Sequence, residues 1–138
     1  MEFYRHMTNK EKKELTSREL ADMCVAIADD RKAENVVQLK VSDLSFIADY
    51  FIIATGNSQP HMKAVAETIG RELRNKYDER PSHVEGTSYS GWMLLDYGMV
   101  VVHVLTAEMR ELYDLENLWG DAPRKESIEI LKELGIIK

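Results

Sequence analysis

From Asp49 to Thr55 the chain reads Asp-Tyr-Phe-Ile-Ile-Ala-Thr, an almost unbroken apolar run ending at Gly56-Asn57-Ser58. A strand that is apolar on both of its sides must be covered on both, so this segment belongs in the interior of a sheet. Pro60 then suits a first helical turn, and Met62, Val65, Ala66, Ile69 and Leu73 form a helical stripe towards Tyr77. Strand, turn and helix in immediate succession predict an α/β domain whose sheet has helices against it.

The remaining segments fit around that unit. Thr16 with Glu19 three residues on has the spacing of a capping box, and Leu20, Met23, Cys24 and Ile27 follow at helical intervals to about Arg31. Val36, Val37, Leu39 and Val41 read as a short strand, and another is expected around His83 to Glu85. Trp92 to Asp96 and Met99 to Leu105 read as two strands joined at Tyr97-Gly98, a connection short enough to force an antiparallel hairpin. Ala107 to Trp119 is helical or turn-like, and Ser127 to Leu134 carries Ile128, Leu131 and Leu134 in register for a closing helix. With 138 residues the chain makes one domain, with a mixed sheet of about five strands flanked by helices.

Charge and cysteine usage narrow the function. The net charge of −6 has the wrong sign for coating a phosphate backbone or an anionic membrane. Cys24, the single cysteine, cannot form an internal disulfide, and Met1–Glu14 is too charged for a signal peptide, so a cytoplasmic protein is expected. The longest apolar stretch, Met99 to Leu105, is far shorter than the ~20 residues a transmembrane helix requires.

Catalytic chemistry finds little support. His6, His61, His83 and His103 stand too far from one another and from Cys24 for a local zinc motif, and Cys24 lies on an apolar helical stripe as a small hydrophobe would. Gly56-Asn57-Ser58 could offer backbone N–H groups to a phosphate, yet it is no known phosphate-loop pattern and equally suits a helix cap. Asp114-Leu115-Glu116 has the spacing of paired metal carboxylates on a strand, but it falls in a segment read as helical, where such residues diverge. No cofactor, metal or catalytic residue is expected.

The hairpin and the segment after it are more informative. With Tyr97 and Gly98 as the loop, Asp96 would pair with Met99, Leu94 with Val101 and Trp92 with His103 on one face. Met93, Leu95, Val100, Val102 and Val104 would share the other face, which should be core. Residues 107–121 set Arg110 against Glu108, Glu111, Asp114, Glu116 and Asp121, so −4 of the net −6 lies there, with Tyr113 and Trp119 interleaved. Aromatics among acids suit a basic protein surface, the charges steering encounter and the rings supplying buried contact, and residue by residue they equally suit a solvated helix face with its two aromatics turned inward.

Several motifs in consistent order extend from Leu15 to Ala122: Asp49 through Ser58, Glu85-Gly86, Trp92-Met93-Leu94-Leu95-Asp96-Tyr97-Gly98, Val100-Val101-Val102-His103, Arg110, Tyr113-Asp114-Leu115-Glu116, and Leu118-Trp119-Gly120-Asp121-Ala122. Together they resemble the ribosomal silencing factor family, RsfS or Iojap. The resemblance implies a nucleotidyltransferase-like α/β fold without transferase activity, over residues 15–122. Residues 1–14 would be a flexible N-terminal extension, and residues 123–138 a C-terminal extension with a short helix. It also implies a translational repressor that binds the large ribosomal subunit through its ribosomal protein fourteen and blocks the small subunit from joining under nutrient limitation. The family contacts fall here on Trp92, Met93, Leu94, Asp96 and Tyr97, with His103, Arg110 and Tyr113 supporting. Trp92 and Leu94 would be the apolar anchor, and Asp96 would pair with a basic side chain. Met99 stands where the family usually has an acidic residue, which removes one charge from the face opposite Asp96. Two other readings stand beside this one: a nucleotide- or phosphate-binding enzyme using Gly56 to Ser58, and a homodimerisation module.

Overall fold

The computed structural model describes residues 14–137, so the expected N-terminal extension falls almost wholly outside the described residues. Helix α1, Ser17–Asp30, starts at the capping box expected of it. Thr16 Oγ1 accepts from the Glu19 N–H at 3.1 Å, and Glu19 Oε1 accepts from the Thr16 N–H at 3.0 Å. Its stripe of Leu20, Cys24, Val25, Ile27 and Ala28 is buried, and burial raises the Cys24 thiol pKa well above its ordinary range, so the thiol stays protonated and inert.

Strands β1 (Glu34–Lys40) and β2 (Tyr50–Thr55) pair antiparallel, and α2 (Gln59–Tyr77) comes directly after β2. The short strand β3, His83–Thr87, leads through one 3₁₀ turn into the hairpin of β4 (Trp92–Asp96) and β5 (Val100–Leu105). Two short helices, α3 (Ala107–Tyr113) and α4 (Leu115–Leu118), precede β6 (Arg124–Glu126) and the closing helix α5, Ser127–Glu133. The strand order is β3-β4-β5-β2-β1-β6, with β2 and β5 parallel and every other pair antiparallel. β2 is therefore central, as its two-sided apolar run requires.

The sheet has six strands rather than about five, because β6 pairs with β1. Its sequence, Arg-Lys-Glu, carries no apolar alternation. Its place comes from tertiary hydrogen bonding, including Lys40 N–H to Pro123 O at 2.9 Å. Among the described residues no helix is long and apolar enough to cross a membrane.

The hairpin is present, but its register differs from the one expected. Asp96 faces Val101, Leu94 faces His103 and Trp92 faces Leu105. A hydrogen bond from Tyr97 N–H to Val100 O at 2.9 Å closes a loop of Gly98 and Met99, with Gly98 at φ 84°. Such a turn needs a residue tolerant of positive φ at its first central position, which glycine supplies and tyrosine does not. Met99 is thus at the tip rather than opposite Asp96. The shift is by two residues, so the division of side chains between faces is unchanged.

One face of the sheet carries Val36, Ile52, Ala54, Leu95, Val100, Val102 and Val104 beneath α1, α2 and Ile130 of α5. The other face gathers Val37, Leu39, Ile53, Val101 and Leu105 with the partly buried Phe51, Trp92, Leu94, Met109, Leu115 and Trp119. The short helices α3 and α4, the loop beyond β1 and the segment with Trp119 and Ala122 before β6 complete that second layer, and Trp92 and Leu94 of β4 stay only partly buried.

Candidate functional site

Alternation in β4 sends Trp92, Leu94 and Asp96 to the thinly covered face. Beside them on β5 stands His103, and the Trp92 Nε1–H donates to His103 Nδ1 at 3.1 Å. Tyr113 of α3 closes on the indole at 4.7 Å between ring centroids. His103 in turn meets the Phe51 ring edge-on at 5.2 Å, and Phe51 meets Trp119 likewise at 5.2 Å. A continuous row of rings therefore crosses the face from α3 to the segment before β6. Tilted and edge-on ring pairs each add about 0.5–1.5 kcal/mol beyond area burial.

Next to Trp92 lies an open groove of about 410 Å³ lined by Glu85, Gly86, Ser90, Trp92, Leu94 and Met109. Gly86 adopts φ 77°, and a Cβ there would stand 2.0 Å from Trp92 O, so only glycine lets β3 approach β4 this closely. Glu108, Glu111, Asp114 and Asp121 are all exposed on the adjoining segment, as are Leu112 and Tyr113. Met109 lies one helical turn before Tyr113, an i,i+4 spacing that could have flagged it as part of the groove.

The structure does not bring all of the expected contacts together. Met93 and Tyr97 point to the opposite face and pack on the α1/α2 layer. Burial raises the Tyr97 phenol pKa, and its hydroxyl has no hydrogen-bond partner among the described residues. Arg110 is turned inward: its Nε donates to Glu116 Oε1 at 2.7 Å and its Nη1 to Thr55 Oγ1 at 2.9 Å, while Arg124 Nη1 holds Glu116 Oε2 at 2.8 Å. The Arg110 hydrogen bond keeps the Glu116 carboxyl below the usual carboxylate range. Arg110 thus clamps α3 and α4 to the end of β2.

His103 is 5% exposed, and burial pushes its pKa down to about 4. Nδ1 accepts from Trp92, so the proton of the neutral ring is on Nε2. The unfolded chain binds a proton near pH ~6.5 that the folded chain refuses, so the stabilisation is present above that pH and is lost as pH falls through about 4. We expect an apparent stability loss of up to about 3 kcal/mol across that window, measured by denaturant titration at stepped pH. His103→Gln, which has no proton to gain, should flatten this part of the profile. An unchanged slope would assign the acid lability elsewhere.

Two backbone N–H groups and the serine hydroxyl of the turn Gly56-Asn57-Ser58 are engaged inside the fold. Gly56 N–H bonds Leu105 O at 3.0 Å, and Asn57 N–H bonds His61 Nδ1 at 3.0 Å. Ser58 Oγ caps α2 through the His61 N–H at 3.1 Å, and the His61 Nε2–H reaches Arg31 O at 2.8 Å. A Cβ on Gly56 would come within 2.4 Å of Met62 Cγ, so this glycine serves strand-to-helix packing. Among the described residues no group of three or more His, Cys, Asp or Glu side chains could hold a metal.

Fold and face together define a single α/β domain whose distinguishing surface is an aromatic, acid-rimmed hairpin. A family model described as "Ribosomal silencing factor during starvation" matches residues 14–135. The chain is 39% identical over 112 residues to ribosomal silencing factor RsfS of Halalkalibacterium halodurans, covering 81% of this chain and 95% of that one. It is 38% identical to RsfS of Bacillus subtilis, covering 79% and 92%. A crystal structure of a Chromobacterium violaceum protein superposes with a TM-score of 0.73 at 31% identity, covering 77% of this chain and 88% of that one. The chain belongs to the ribosomal silencing factor family.

Proposed function

We propose that this protein represses translation by docking on the large ribosomal subunit, through its ribosomal protein fourteen, and sterically excluding the small subunit. The observation that carries this reading is the pairing of an accessible aromatic groove at Trp92 with a rim of exposed acids. Steering by charge and anchoring by a desolvated ring are what a non-catalytic protein interface needs. Membership of a ribosome-silencing family supports it, as does a Mus musculus relative, 29% identical over 71% of this chain, named mitochondrial assembly of ribosomal large subunit protein 1.

In this mechanism Trp92 and Leu94 are the anchor, Tyr113 extends it, and Asp96 meets a basic side chain of the partner. His103 fixes the indole through its Nδ1 acceptor, and Arg110 holds α3 in place. Met93 and Tyr97 act from the opposite face by seating β4 on the core. Repression then results from occupancy alone, with no covalent step and no cofactor.

Co-sedimentation with separated subunits, followed by a joining assay at rising protein concentration, tests the proposal. Binding to the large subunit with loss of joined ribosomes is the expected result. Binding to neither subunit would overturn it.

A further inference from the structure

β3 ends the sheet, and all five of its residues are exposed. The hydrogen-bond phase of the hairpin tells which of its backbone groups are free. Tyr97 N–H bonds Val100 O and Thr106 N–H bonds Gly91 O, so the odd-numbered residues of β4 turn their backbone groups towards β5. Trp92, Leu94 and Asp96 therefore turn theirs towards β3, where Thr87, Glu85 and His83 stand opposite. Val84, between His83 and Glu85, must point its N–H and C=O away from the sheet.

Two grooves flank this edge, one on each face. The Trp92 groove of about 410 Å³ reaches Glu85 and Gly86, and a second of about 420 Å³ runs between α2 and Val84, lined by Gly70, Pro81, Met93 and Leu95 with Arg74 and Arg80 at its rim. Successive side chains of an added strand would enter the two grooves alternately. On the Trp92 side, Glu85 and Asp96 share the face with His83. Glu85 Oε1 is hydrogen-bonded to His83 Nε2 at 2.7 Å and Asp96 Oδ1 accepts from the Gly98 N–H at 2.7 Å, and Glu108 and Glu111 are exposed on α3 to either side of Met109. Indole, leucine and methionine beneath a carboxylate suit the aliphatic stem and cationic head of a lysine or arginine.

We propose that the docking partner adds an extended basic strand to the β3 edge at Val84, its Lys or Arg side chains entering the Trp92 groove and its apolar side chains the α2 groove. This rests on the docking reading above and specifies its mode. The test uses the full chain and isolated ribosomal protein fourteen. Val84→Pro deletes the outward N–H at a position where an edge strand tolerates proline, and is expected to weaken binding at least about tenfold, against less than about threefold for Val84→Ala. In the parent complex the Val84 amide should exchange at least about tenfold more slowly than in the free chain. Normal binding by a folded Val84→Pro, or an unprotected Val84 amide in a complex that Trp92→Ala still weakens, would overturn strand addition and leave the docking reading standing. Protection of Val84 that rises with protein concentration in the absence of partner would assign the edge to a second copy and overturn the proposal. If the parent chain fails to bind, the docking reading itself falls.

Discussion

Trp92→Ala is expected to weaken binding to the large subunit by at least about 2 kcal/mol, roughly thirtyfold in Kd. The indole is the hub of the face: it contacts Tyr113, donates to His103 Nδ1 and lines the groove beside Leu94 and Met109. Truncation removes the apolar anchor and leaves His103 Nδ1, on a ring whose Nε2 has no partner among the described residues, without its donor. Some folding stability will be lost too, so binding is measured at a temperature where circular dichroism shows the variant folded. Trp92→Phe separates the two contributions, because it keeps ring contact and loses the Nε1 donor. A folded Trp92→Ala with unaltered affinity would move the docking face elsewhere on the molecule.

Ile130→Ala should lower folding stability by about 2–5 kcal/mol, with a fall in Tm on the order of 10 °C. Ile130 is fully buried in the same cluster as Leu20, Val25 and Val36, although it belongs to the closing helix. α5 also meets α1 through Arg18 and Glu133, whose Nη2 and Oε2 stand 3.5 Å apart, and Lys125 Nζ holds Glu133 Oε1 at 2.8 Å. Those exposed pairs contribute little on their own. The buried isoleucine carries the effect through a cavity that the surrounding core fills only in part. Thermal melts that coincide with the parent's would show α5 to be dispensable to the fold.

Much of the molecule was legible in its residues because short-range periodicity reports burial. The two-sided apolar run at Tyr50 to Ala54 could only be central, Thr16 and Glu19 together marked the start of α1, and the alternation of Met93, Leu95, Val100, Val102 and Val104 separated core from open face. Two of the motifs that resemble the silencing factors, Trp92 to Gly98 and Val100 to His103, lie on that hairpin, which is why family and candidate face were readable together. Other features depended on contacts between residues far apart in sequence. β6 is polar and three residues long, and only its pairing with Val37 to Leu39 makes it a strand. The hairpin register was set by which residue could hold a positive φ, a choice that hydrophobic pattern alone leaves open by two residues. Arg110 looked like the single cation of an acidic surface until the fold brought Glu116 and Thr55 to it. His103, read as a member of the open face, became the buried acceptor that orients Trp92, because Phe51 and Trp92 arrive over it from different strands. Periodicity along the chain determined which side of each element is dry; the meeting of distant side chains decided which polar groups are spent inside the fold and which remain free to bind.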